Sequence, residues 1–212
     1  MTRRGDRDDP ARHHDDSVPL ARFTDRVLVV CPRCGGRALV VPRPGLPAPR
    51  YAMELLYQPR RLACAGCGAV GDWTADMRRN ALVGAEPGGI EDPFFRRPLW
   101  LRTRCAGHVL WAYDETHVDA LAAYVGARLR ERGSLSPTLA MFARLPAWMK
   151  TSEHRPEILT GLKTLRDLAG RGTPYQRPVT KALCPIGPFM GHHGQEGHRR
   201  GKLIHPWSRE AS

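Results

Sequence analysis

Two Cys-x-x-Cys pairs, Cys31-Pro32-Arg33-Cys34 and Cys64-Ala65-Gly66-Cys67, constrain this chain more than any other feature, and 29 residues separate them. A two-residue spacer lets both sulfurs of a pair face one ion, and the glycine after each pair permits the tight turn that aims backbone N–H groups at the sulfurs. Four thiolates in a tetrahedron form a closed shell. Such a shell holds a fold together and leaves no position for a catalytic water. The spacing therefore predicts one structural zinc ion on Cys31, Cys34, Cys64 and Cys67, mounted on a strand–knuckle–strand ribbon. A redox dithiol would need a βαβ setting, whereas short β-branched runs and prolines flank these pairs.

The flanking sequence fits a ribbon. Val27 to Val30 leads into the first pair, Ala38 to Val41 leads out, and Arg60 to Ala63 leads into the second. Between them Pro42, Pro44, Gly45, Pro47 and Pro49 break the chain, and the apolar run Tyr51 to Tyr57 fits a short helix or a strand equally well. A hairpin is expected further on. Leu99 to Arg104 and Val109 to Tyr113 alternate, with Gly107 at the turn between them. With Ala106 and Gly107 as loop residues, Arg104 lies opposite Val109 and Arg102 opposite Trp111. One face then carries Trp100, Arg102, Arg104, Trp111 and Tyr113, and Leu99, Leu101, Leu110 and Ala112 face the other way.

Helices follow. Asp114 or Thr116 can cap a helix whose apolar face is Val118, Leu121, Ala122, Val125 and Leu129, ending at Gly133. Ser136-Pro137 has the form of a second start, stopped by Pro146. A third helix begins between Ser152 and Pro156, buries Ile158, Leu159, Leu162, Leu165 and Leu168, and ends at Gly170. The ends of the chain are polar: residues 1–20 mix arginine with aspartate, and residues 171–212 set seven Arg and Lys against Glu196 and Glu210. The expectation is an α+β chain with a disordered arm over 1–22, ribbon and hairpin over 23–114, a small helical region over 115–170 and a basic disordered tail over 171–212.

The 212 residues carry a formal net charge of +12, almost all of it arginine, since lysine occurs only at Lys150, Lys163, Lys181 and Lys202. A surplus of this size attracts phosphate polymers, although codon bias in a GC-rich genome yields the same composition. Arg33 and Arg37 flank the first pair, and Arg60 and Arg61 precede the second. The aromatic and arginine face of the hairpin has the composition of a platform for unpaired bases. The expected partner is accordingly nucleic acid, or a protein assembly bound to it in transcription or translation, contacted through Arg33, Arg37, Arg60, Arg61, Trp100, Arg102, Arg104 and Trp111. The competing expectation is a protein-interaction adaptor whose charge only solubilises it. No zinc-protease helix, phosphate loop or nucleophile elbow occurs in the sequence, and no small-molecule substrate is implied. The opening residues lack a hydrophobic segment and no apolar run reaches membrane-spanning length, so the chain is expected in the cytoplasm and off the membrane. Cys105 and His108 have the spacing of half a second metal site, which would need partners such as Cys184, His192 or His193.

From Cys31 to about Ala169 the chain resembles a bacterial family of zinc-ribbon proteins labelled by likeness to the ribbon of general transcription factor B. The segments that carry the resemblance are Pro98-Leu99-Trp100-Leu101-Arg102-Thr103, Leu110-Trp111-Ala112-Tyr113-Asp114-Glu115 and Leu145-Pro146-Ala147-Trp148-Met149-Lys150. In that family the hairpin turn often carries two adjacent cysteines, and here Ala106 stands beside Cys105. The resemblance implies a ribbon followed by a small helical region, with zinc on the four cysteines, and it implies no activity.

Overall fold

The computed structural model describes residues 12–132 and 140–171. The fold is α+β, with mostly antiparallel strands. Four strands form the ribbon: β2 (Val27–Val30), β3 (Arg37–Pro42), β4 (Arg60–Ala63) and β5 (Val70–Trp73) lie side by side in that order. Here β1 is the preceding strand, Arg12–Asp15. The apolar alternation of the sequence becomes the inner face, where Val27, Val29, Ala38, Val40 and Leu62 are buried. The run after Tyr51 resolves as a single-turn 3-10 helix, Ala52–Leu56, with Leu55 and Leu56 inside.

The first strand of the ribbon sheet, β2, pairs on both edges. While β2 bonds to β3 on one side, on the other Leu28 N–H donates to the Tyr113 carbonyl (2.8 Å), Trp100 N–H to Leu28 (2.9 Å) and Val30 N–H to Pro98 (2.9 Å). That edge joins the ribbon to the hairpin β8 (Leu101–Cys105) and β9 (His108–Ala112), a step after the shorter hairpin β6 (Asp76–Arg78) and β7 (Ala81–Val83). The expected register of β8 and β9 is the one found, Arg104 opposite Val109 and Arg102 opposite Trp111. Ala106 (φ 49°) and Gly107 (φ 77°) make the two-residue turn in the left-handed conformation such loops need.

Helix α1 (Glu115–Gly126) starts where the Asp114 carboxylate accepts the His117 N–H at 2.9 Å, so Asp114 rather than Thr116 is the cap. Helices α2 (Ala147–Lys150) and α3 (Arg155–Gly170) follow Pro146 and Ser152. Ile158, Leu162 and Leu165 of α3 are fully buried, each removing apolar surface worth about 2 kcal/mol. Gly161 lets α3 lie close on the hairpin: a Cβ there would sit 2.9 Å from Leu110 Cδ2. One core cluster runs from Val27 through Leu101, Trp111 and Leu121 to Ala169, without a break at residue 114.

Two expectations are corrected. The arm expected to be disordered over 1–22 is ordered from Arg12: β1 pairs in parallel with β10 (Leu129–Arg132), and the 3-10 turn Leu20–Thr24 buries Leu20 and Phe23. Residues 1–11 lie outside the described residues, as do the expected second helix start at Ser136-Pro137 and all of the expected tail beyond Arg171. The first helix also stops short of Leu129, which belongs to β10. The cause is Arg130, whose Nε and Nη2 donate to the free carbonyls of Tyr124 (3.1 Å) and Val125 (3.4 Å) at the end of α1, while its guanidinium lies over the Tyr124 ring. Its Nη1 also reaches the Lys150 carbonyl at the end of α2 (3.0 Å).

Candidate metal centre

The knuckles repeat one backbone pattern at β2–β3 and β4–β5. Gly35 N–H donates to the Cys31 carbonyl at 3.0 Å and Gly68 N–H to the Cys64 carbonyl at 2.9 Å; Cys31 and Cys64 N–H close each loop on Gly36 (2.7 Å) and Ala69 (2.9 Å). Gly35 at φ 70° and Gly68 at φ 69° occupy the left-handed region, which explains why glycine follows each pair. The four sulfurs converge. Cys31 Sγ lies 3.6 Å from Cys67 Sγ, Cys34 Sγ lies 3.6 Å from Cys64 Sγ, and all four fall within 4.8 Å of one another. A tetrahedral zinc shell with bonds of about 2.3 Å spaces its sulfurs about 3.8 Å apart, so the donor set fits such an ion.

Electrostatics at the site also call for a cation. Burial pushes the Cys31 thiol up, and N–H groups of Cys34 and Arg33 with the neighbouring thiols outweigh it and bring it down to about 7. The Gly36 N–H draws the Cys34 thiol down, yet the thiols of Cys67, Cys64 and Cys31 push it up to about 12. Four sulfurs this close cannot all ionise without a positive charge among them, and a divalent ion supplies it. Cys34 is exposed at the surface while Cys31 and Cys64 are buried. Among the described residues no other group of three or more His, Cys, Asp or Glu side chains converges in this way.

The arginines and aromatics singled out in the sequence scatter. Arg33 is exposed and donates to the Cys67 carbonyl at 3.4 Å, which ties the knuckles together. Arg37 donates to the Ala169 carbonyl at the C-terminus of α3. Arg60 is wholly buried: it donates to the carbonyls of Leu55 and Asp25 and lies 4.4 Å from the Phe94 ring centroid, so it is a brace of the core and cannot reach a phosphate. Burial brings its pKa down to about 10 against the pull of Asp25. Arg61 is engaged by Asp72 (3.1 Å), which Arg43 also approaches at 3.6 Å.

The aromatic platform on the hairpin is likewise corrected. Trp111 is 2 % exposed and packs against Tyr113 and His117, and Trp100 is buried with its indole N–H on the Leu168 carbonyl at 3.3 Å. Elements on both sides of the hairpin cover it, so no base can stack there. Arg104 remains exposed and Arg102 is half-buried. Cys105 and His108 sit opposite each other at the hairpin end; His108 stacks on Trp148, and burial, with Glu157, pushes the Cys105 thiol up to about 11, while the partners a second site would need, Cys184, His192 and His193, lie outside the described residues.

Sequence reasoning passed over three anchors. Asp92 is buried and accepts N–H bonds from Phe94 (3.0 Å), Phe95 (2.8 Å) and Arg97 (2.6 Å), fixing the loop before β8. His117 is buried beside Phe23 and accepts the Tyr113 N–H at 3.2 Å. The third is the β6–β7 hairpin, whose strands of three residues are too short to show alternation and whose signal is Asn80 in the turn beside the apolar run Ala81 to Val83. Comparison with protein-family models, curated proteins and solved structures yields no match. No helix among the described residues is long and apolar enough to cross a membrane.

Proposed function

We propose that the chain is a cytoplasmic zinc-ribbon protein that binds nucleic acid, with a single structural zinc held by Cys31, Cys34, Cys64 and Cys67. The observation that carries the zinc reading is the sulfur cluster, whose 3.6 Å spacings suit a tetrahedral thiolate shell. The nucleic-acid reading rests on the net charge of +12 and on arginines that stay at the surface, among them Arg33, Arg78, Arg79 and Arg104. Likeness to the bacterial zinc-ribbon family belongs to the same proposal. A closed four-thiolate shell gives the metal a structural role only.

The test is a salt titration of binding to duplex and single-stranded DNA and RNA by the zinc-loaded chain. Each neutralised phosphate should steepen the dependence of log affinity on log salt by about 0.7 to 0.9. Absence of binding at low salt to every one of these would sink the reading and leave the adaptor alternative. Affinity purification with and without nuclease separates the two in cells, because an adaptor keeps its partners after nuclease treatment.

A further inference from the structure

The β6–β7 hairpin stands apart from the core. All six strand residues are exposed, and among the described residues no other strand caps either edge of this two-stranded sheet. Met77 and Leu82 face each other across it at 65 % and 50 % exposure. Its turn is Arg79-Asn80, with φ 46° and 66°. Glycine is the natural occupant of such positions, and a bulky arginine there is held against its local preference. Arg78 beside it pairs with Asp76 at 3.6 Å, but both side chains are more than two-thirds exposed, so the pair is weak and readily exchanged. A basic tip, a pair of bare apolar side chains and two free edges therefore project together.

Building on the nucleic-acid reading, we propose that this hairpin is the element that enters a groove of duplex nucleic acid, with Arg78 and Arg79 on phosphates and Met77 and Leu82 against sugars and base edges. Charge complementarity selects the occupant. A two-stranded ribbon, about 5 Å between strands, suits a major groove about 12 Å wide. Single strands are bound chiefly by aromatic stacking, and this hairpin carries no aromatic residue, while Trp100 and Trp111 are buried. Arginine at the strained tip position brings the charge to the furthest point of the projection.

The experiment compares the full zinc-loaded chain with three variants on a short mixed-sequence DNA duplex and on one of its strands. Arg78→Gln with Arg79→Gly removes two charges and relaxes the turn, so the fold is kept; the slope of log affinity against log salt on duplex should fall by about 1.8. Asn80→Gly relaxes the same turn without touching charge and should leave that slope unchanged. Met77→Ser with Leu82→Ser should weaken duplex binding with the slope retained. Melting temperature and zinc content, equal to the parent in all three, show that the fold is intact. A parent that binds no nucleic acid overturns the functional reading and this inference together. A parent that binds while the double arginine variant keeps its slope overturns only the hairpin assignment. Single-strand binding tighter than duplex and equally sensitive to the arginines overturns the groove. A protein partner retained after nuclease treatment and lost with the Met77 and Leu82 changes reassigns the hairpin to a protein surface.

Discussion

Two hairpins of this molecule share a plan and have opposite fates. Both β6–β7 and β8–β9 close with a two-residue turn in the left-handed region, and in each the leading strand sets an apolar residue beside an arginine, Met77 with Arg78 and Leu101 with Arg102. The second packs against α3 and α1, with Trp111 covered by His117 of α1; the first is bare. An isolated hairpin is marginal in water, so the same local sequence logic gives a core element where neighbours cover it and a projecting arm where none does. Alternation tells which side chains share a face. It does not tell whether that face is covered.

The largest expected contrast comes from the metal. Structural zinc contributes folding energy on the order of 10 to 16 kcal/mol in small fingers, so Cys64→Ser or chelation should unfold the ribbon. Because β2 bonds to both β3 and the chain around β8–β9, the loss should spread to that hairpin, seen as exposure of Trp100 and Trp111 in fluorescence. A Cys64→Ser chain with the parent's melting curve and tryptophan emission would refute this.

Acid comes next. Burial lowers the His117 pKa to about 3, well below its ordinary value near 6.5, so between those values the unfolded chain binds a proton that the folded chain refuses. Stability is therefore full above about pH 6.5 and falls by about 1.4 kcal/mol per pH unit on the way down towards 3. Burial raises the Asp114 pKa, which acts in the opposite sense and trims the loss. His117→Gln should flatten the pH dependence of melting over that window, and an unchanged dependence would show that the imidazole is not responsible.

Truncation sharpens the comparison directly. Trp111→Ala, in the clasped hairpin, should cost about 3 to 5 kcal/mol, whereas Leu82→Ala, in the bare one, should stay within about 0.5 kcal/mol. Equal losses in chemical denaturation would mean that β6–β7 is packed in solution. The smallest effect concerns the turns: Ala106→Gly should stabilise the fold by about 1 kcal/mol by removing a side chain from φ 49°. Asn80→Gly should leave global melting unmoved, because opening of a bare hairpin is a local event; hydrogen exchange at β6–β7 would register it instead.

Much of the centre and part of the scaffold were legible in the sequence. The convergence of the four cysteines follows from spacing within each pair, a local property, and the β8–β9 register follows from a glycine turn and period-two alternation. What escaped is non-local. Nothing near Arg60 announces that Leu55, Asp25 and Phe94 will enclose it, and an arginine beside a cysteine pair reads the same whether it faces water or the core. Helix periodicity runs on through Leu129, yet α1 ends at Gly126, where Arg130 folds back onto the last carbonyls of the helix, a contact that no local pattern announces. The parallel pair β1–β10 joins segments more than a hundred residues apart, and neither strand has an apolar alternation of its own.

Arg37 lies three residues after Cys34 and holds the Ala169 carbonyl at the end of α3, so the chain leaves the described body at Arg171 beside the ribbon. A helix end held three residues from a knuckle cysteine makes α3 and that knuckle one mechanical unit, so opening the cysteine cluster should also release the last turn of α3. Arg37→Ala would remove that strut, uncoupling the end of α3 from the knuckle while leaving every other charge in place.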